Sequence, residues 1–159
     1  MPIWPASCNL LADTDLASGR LELEITEGVL INDHARALAT LRRLKLLGVK
    51  IAMDDFGTGY ASLSGWQSFP FDKLKIDKTF VSGVESNAKS AEIVRAVIGL
   101  GRALKIPVIA EGVETEGERS FLMPEGCGEL QGYLIGRPAP IATNAMLING
   151  DRANVLMAG

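Results

Sequence analysis

The feature that most constrains this chain is a strand period followed by a helix period, repeated along its length. Leu21-Glu22-Leu23-Glu24-Ile25 alternates apolar and polar residues, as a strand does. A helix is expected over 33–47, with Asn32 or Asp33 as its cap, Leu38, Leu41 and Leu44 as its apolar face and Gly48 as its stop. Residues 49–53 read as a second strand, 54–60 as a Gly-containing loop and 62–68 as one or two helical turns. After Pro70, residues 73–77 read as a third strand. Asn87 or Ser90 opens a helix reaching about Leu104. Gly99 and Gly101 lie inside it, each costing about 1 kcal/mol against Ala, which points to close packing against a neighbour. Residues 108–111 read as a fourth strand, Thr115 and Glu118 have capping-box spacing for another helix, and 130–134 form a weaker fifth strand.

Alternating strands and helices mean parallel β/α units, here four to five, with room for right-handed crossovers. The fold class is therefore α/β. A complete eight-stranded β/α barrel takes about 250 residues. With 159 residues, the chain is either an open sheet or part of a barrel. The first 20 residues are weakly patterned and carry Pro2 and Pro5, so 1–20 reads as an N-terminal edge, a remnant helix or a poorly ordered arm, which Gly19 would end. Residues 21–145 form the main unit, including a short helix after Pro140, and 146–159 a tail.

Composition removes several function classes. Hydrophobic residues at 47% and charged residues at 22% exclude a disordered chain or a coiled coil. A net charge of −3 offers no basic excess for DNA. The single histidine, His34, excludes a multi-histidine metal site and reads as a surface residue. Cys8 and Cys127 are too few for a disulfide scaffold and read as small buried apolar groups. The longest apolar stretch is broken by Arg95, Arg102, Lys105 and Pro107, so no membrane span is expected. With no signal-peptide pattern at the start, the expected compartment is the cytoplasm.

The polar residues collect at the ends of the strands: Glu24 and Glu27, Asp54 and Asp55, Lys75 and Asp77, Glu111 and Glu114, and Gln131. In parallel β/α folds those ends form one rim, where sites lie. Each residue alone has a plain reading. Glu24 and Glu111 can be solvent-facing strand residues. Asp54 or Asp55 can cap a helix, though capping uses only one of two adjacent acids. Gly57 and Gly59 can be turn glycines, or can let backbone N–H groups approach a phosphate. Lys75 is a surface residue unless its strand is buried, in which case it must meet an anion. Asp77 is its partner or a cap.

Together they say more. Four or more carboxylates on one rim repel one another, and protonation or cations relieve that repulsion. Oxygen ligands without His or Cys suit Mg²⁺ or Mn²⁺. Two such metals sharing a carboxylate are a standard arrangement for cutting phosphodiesters. The residues thus point to metal-dependent phosphate-ester chemistry.

Glu24-Ile25-Thr26-Glu27, Asp54-Asp55-Phe56-Gly57-Thr58-Gly59-Tyr60, Lys73-Leu74-Lys75-Ile76-Asp77, Ala110-Glu111-Gly112-Val113-Glu114-Thr115 and Gln131-Gly132-Tyr133-Leu134 occur in this order. In these motifs, spread over 21–140, the chain resembles the EAL-domain family of bacterial cyclic di-GMP phosphodiesterases. The resemblance implies a partial (β/α) barrel of the TIM type and hydrolysis of cyclic di-GMP to the linear dinucleotide with Mg²⁺ or Mn²⁺. It implies Glu24 and Asp54 as ligands of one metal, and Asp54 and Asp55 as ligands of a second, with Asp54 bridging. Lys75 is similar to the lysine at the catalytic water, and Glu111 to the glutamate at the metal–water centre. Glu27 resembles the glutamate that braces the loop after Asp55, where Gly57, Thr58 and Gly59 lie; Gln131 and Asp77 support the rim.

The Glu-Ala-Leu triplet that names the family is absent, and Asn9 is too close to Glu24 to be the family's upstream metal-binding asparagine. The resemblance covers the C-terminal half to two-thirds of such a domain. Three expectations follow: a piece of a working phosphodiesterase with little activity alone, an inactive nucleotide-binding or dimerisation module, or a fragment that folds by self-association. Open barrel edges favour homodimers or larger species.

Overall fold

The fold is given by a computed structural model, which describes residues 3–26, 28, 33–56, 68–140 and 143. Five strands, β1 (Glu22–Thr26), β2 (Lys50–Phe56), β3 (Lys73–Ile76), β4 (Val108–Glu111) and β5 (Glu129–Gln131), form one sheet in chain order. Every neighbouring pair is parallel. Helices α1 (Ile3–Thr14), α2 (His34–Leu46), α3 (Lys78–Val81), α4 (Ala88–Leu104) and α5 (Glu116–Glu125) complete it, with a 3-10 turn at Ser18–Arg20. Among the described residues the sheet has five consecutive parallel strands, where a complete (β/α) barrel has eight.

The strand alternation decides which face meets the helices. Leu23, Ile25, Ile51, Met53, Leu74, Ile76, Val108 and Ala110 join one apolar core with Leu41 and Leu44 of α2, Val94, Val97 and Ile98 of α4 and Leu122 of α5. Burying a side chain of this size fully is worth about 1.5–3 kcal/mol. The alternate positions, Glu22, Glu24, Asp54, Lys73, Lys75, Glu111 and Glu129, meet one another in ion pairs on the other face.

Local signals set the helix ends. Asp33 accepts a bond from Arg36 N at 3.0 Å and caps α2, which Gly48 ends at φ +88°. Asn87 caps α4 through Lys89 N and Ser90 N. Thr115 and Glu118 form the full capping box of α5. A Cβ on Gly101 would lie 2.2 Å from Val108 Cγ2, so this glycine lets α4 seat against β4. Gly99 meets nothing within 4 Å, and close packing does not explain it.

Several expectations shift. Of the alternatives for 1–20 the helix is the one found, over residues 3–14; Pro5 stands in its first turn, where the missing N–H has no intrahelical partner to lose. Gly19 sits in the 3-10 turn, not at a helix end. Strand β2 runs on to Phe56, so Asp54 and Asp55 are strand residues and not loop residues. Strand β5 is Glu129–Gln131, earlier and shorter than 130–134. Helix α3 was not signalled, because four residues are too few for a helical period. Cys127 is fully buried, as a small apolar group would be, and His34 is exposed with its ring 4.6 Å from that of Phe69. Glu27, Gly57, Thr58, Gly59, Tyr60, the turns expected before Ser68 and the 146–159 tail lie outside the described residues.

Candidate active site at the strand ends

Strand β3 is the middle strand, and it delivers Lys75 to the charged face with its side chain only 5% exposed. Three strands send it carboxylates. Its ammonium lies 2.5 Å from Glu24 Oε1 of β1, 2.6 Å from Glu111 Oε1 of β4 and 3.2 Å from Asp54 Oδ1 of β2. The expectation that a buried Lys75 must meet an anion is thus met three times over. Parallel pairing explains the meeting, because it places every strand's C-terminal end at one rim.

The electrostatics follow from this packing. Burial alone would lower the Lys75 pKa, but the bonds it donates to Glu111 and Glu24 outweigh this, and the ammonium is held above the ordinary lysine range. Glu111 moves the other way. Burial raises its pKa, Lys75 opposes this, and the charges of Asp54 and Glu24 add to the rise. Lys75 therefore remains a donor, while Glu111 is more basic than an ordinary glutamate.

Asp54 and Asp55 are set by an irregularity. The β2–β3 register shifts between Met53 and Phe56, and Asp55 takes φ +55°. A non-glycine residue there costs of order 1–3 kcal/mol and persists where its surroundings fix it, often at functional sites. The Asp55 pKa is raised by burial, then by the charges of Asp54 and Asp77. Asp77 caps α3, accepting from Thr79 N at 2.9 Å and from Thr79 Oγ1. It does not pair with Lys75 at salt-bridge distance. Gln131 stands opposite Glu111 in the β4–β5 register, with its side chain exposed. Glu114 pairs with Lys78 at 2.5 Å, on the surface.

The donor set can be tested for a cation. Among the described residues, no three His, Cys, Asp or Glu side chains close on a common metal position. The Lys75 ammonium stands between Glu24, Asp54 and Glu111 instead. Asp54 Oδ1 is nevertheless buried without a hydrogen bond among the described residues: Lys75 Nζ attracts it at 3.2 Å but lacks hydrogen-bond geometry. An unbonded buried carboxylate oxygen beside a repelled second carboxylate is what a hard cation relieves. The acids at positions 24, 54 and 55 fit a divalent ion in chemistry.

Sequence reasoning passed over Lys73, Glu22 and Glu129. Lys73 Nζ lies 3.1 Å from Glu129 Oε2 and 3.4 Å from Glu22 Oε2. The signal was present: Lys73 and Lys75, like Glu22 and Glu24, are two apart on one strand and share a face. It also passed over Asp72, which accepts from Ile51 N at 2.8 Å and from Lys45 Nζ at 2.5 Å. Among the described residues, no helix is long and apolar enough to cross a membrane.

Comparison with known proteins now bears on this geometry. The EAL domain family model matches residues 4–138. An uncharacterized signaling protein of Caulobacter vibrioides is 64% identical over 132 residues, covering 83% of this chain and 16% of that protein. The bifunctional diguanylate cyclase/cyclic di-GMP phosphodiesterase MucR of Pseudomonas aeruginosa is 43% identical over 132 residues, covering 83% of this chain and 19% of that protein. A solved structure of the PaMucR phosphodiesterase in complex with c-di-GMP superposes with a TM-score of 0.82 at 42% identity, over 86% of this chain and 55% of that one. The manganese/cy-diGMP complex of Klebsiella pneumoniae BlrP1 at pH 9.0 superposes with a TM-score of 0.77 at 34% identity, over 86% of this chain and 35% of that one. The chain spans less than a fifth of the length of these two curated relatives.

Proposed function

The chain belongs to the EAL domain family, and from that premise we propose that it carries part of the active site of a cyclic di-GMP phosphodiesterase. The observation that carries this reading is the convergence of Glu24, Asp54 and Glu111 on a buried Lys75. Cyclic di-GMP is the substrate, and the linear dinucleotide is the product.

In this reading Glu24, Asp54 and Asp55 would hold Mg²⁺ or Mn²⁺. When bound, the metals supply an activated water and positive charge for the phosphate oxygens. The chain's own residues do the rest. Lys75, kept protonated, donates from Nζ to the water or to a phosphate oxygen and orients it. Glu111, made more basic, accepts the proton at its carboxylate. Asp77 fixes α3 beside Asp55, and Gln131, opposite Glu111, supports the rim. The Glu-Ala-Leu triplet does not occur among the 159 residues, and we propose little hydrolysis by these residues alone.

One observation favours a second reading. Lys75 already brings positive charge to three carboxylates, so the rim is partly compensated without a metal. An inactive module that binds the nucleotide or dimerises is consistent with that. Self-association fits either reading. Strands β1 and β5 end the sheet, and each has one edge with no strand beside it among the described residues.

Chromatography of cyclic di-GMP incubated with the chain and excess Mn²⁺ tests the choice. Linear dinucleotide from the wild type and none from Asp54→Ala supports the enzyme. No product from a folded wild type supports the binding module.

A further inference from the structure

Two ionic layers stack on the charged face of the sheet. The upper one is built on Lys75. The lower one, at the opposite strand ends, is built on Lys73, with Glu22 of β1 at 3.4 Å and Glu129 of β5 at 3.1 Å. Nothing in the chemistry proposed above uses it. We propose that Lys73 is a positioning residue: by tying both edge strands to the middle strand, it sets the sheet curvature that brings Glu24 to Lys75. This rests on the reading of the rim as a cation and phosphodiester site.

In the order β1-β2-β3-β4-β5, each edge strand lies two strands from β3. Neighbouring strands stand about 4.8 Å apart, so in a flat sheet each gap is of order 10 Å. One ammonium meets carboxylates from both edges, which requires the sheet to curl around it. Among the described residues, Lys73 is also the partner of the only ion pair that joins β5 to another strand.

Coupling to the upper layer follows from the period of two. Glu22 and Glu24 project from one face of β1, Lys73 and Lys75 from one face of β3, and Glu129 and Gln131 from one face of β5. Holding Glu22 inward holds Glu24 inward, two residues along a stiff strand. The Lys73 side chain is 21% exposed, so water weakens its bonds without abolishing them. Burial pulls its pKa down, but Glu129 and Glu22 reverse this and hold the ammonium charged.

The test uses the whole 159-residue chain and two readouts. One is Mn²⁺ affinity by calorimetry. The other needs no metal: the ¹⁵N resonance of the Lys75 ammonium, which reports its carboxylate contacts. For Lys73→Met, Mn²⁺ affinity is expected to fall about tenfold, as for other residues that orient metal ligands, and the Lys75 resonance to broaden and shift. Lys73→Arg keeps both bonds and restores both readouts. A Lys73→Met chain that loses thermal stability but keeps wild-type affinity and a wild-type Lys75 resonance would overturn the proposal. If the wild type takes up no Mn²⁺, the cation reading fails by itself, and the Lys75 resonance still decides the role of Lys73. If Lys73→Met does not fold, Glu22→Gln removes one carboxylate charge only. The same Lys75 shift is then expected, and an unchanged resonance overturns the proposal.

Discussion

Lys75 Nζ lies 2.6 Å from Glu111 Oε1, and this bond ties the middle strand to its neighbour β4 at the rim where every strand ends. The pair places a permanent donor beside a carboxylate whose basicity burial has raised. In the function proposed above, proton acceptance falls to Glu111 and charge stabilisation to Lys75.

Removing the cation should expose what it holds. Lys75→Met leaves Glu24, Asp54 and Glu111 facing one another, and breaking a buried ionic cluster from one side costs about 3–5 kcal/mol. Glu24 is 51% exposed, so the lower end of that range is expected. Urea denaturation measures it. Mn²⁺ should stabilise Lys75→Met more than the wild type, because the metal replaces the missing charge. Equal stabilisation of both chains would separate the carboxylates from the metal.

The two glycines of α4 should respond in opposite directions. Gly101→Ala puts a methyl 2.2 Å from Val108 Cγ2 and should destabilise by about 1–3 kcal/mol. Gly99→Ala meets open space on an exposed part of the helix and should stabilise by up to about 1 kcal/mol. Thermal melts of both variants check the pair.

Stability should fall in acid partly through Glu118. Burial pushes its pKa up, but bonds from Glu114 N, Gly83 N and Thr115 N outweigh this and hold it below the ordinary glutamate range. A depressed pKa contributes stability above the unfolded value, lost as pH falls through the folded one. Glu118→Gln should therefore be less stable than the wild type at pH 7, with the gap narrowing below about pH 4. A gap independent of pH would remove the charge from the account.

The open edges of β1 and β5 should draw copies of the chain together. Sedimentation is expected to show dimers or larger species that dissociate on dilution. A sharp monomer at all concentrations would mean the edges are covered.

Much of this site could be read from the sequence, and the reasons are local. Strict alternation in Leu21-Glu22-Leu23-Glu24-Ile25 gives both the strand and the facing of Glu24. Asp33, Asn87 and Thr115 announce their helices because capping chemistry is short-range. What escaped depends on distance in the chain. The Lys73 bridge joins residues 51 and 56 positions away, Glu22 and Glu129, and only the curl of the sheet brings them together. The extension of β2 through Asp54 and Asp55 escaped for another reason. Two acids and a glycine look like a turn, yet pairing with β3 resumes at Phe56 after a register shift.

The function proposed here has the carboxylates around Lys75 taking a divalent cation through Asp54. Calorimetric titration of Mn²⁺ into the wild type and Asp54→Asn tests it most directly, since the substitution keeps the shape and removes the charge. Saturable binding to the wild type and at least about tenfold weaker binding to the variant are expected. Equal binding by the two folded chains would contradict it.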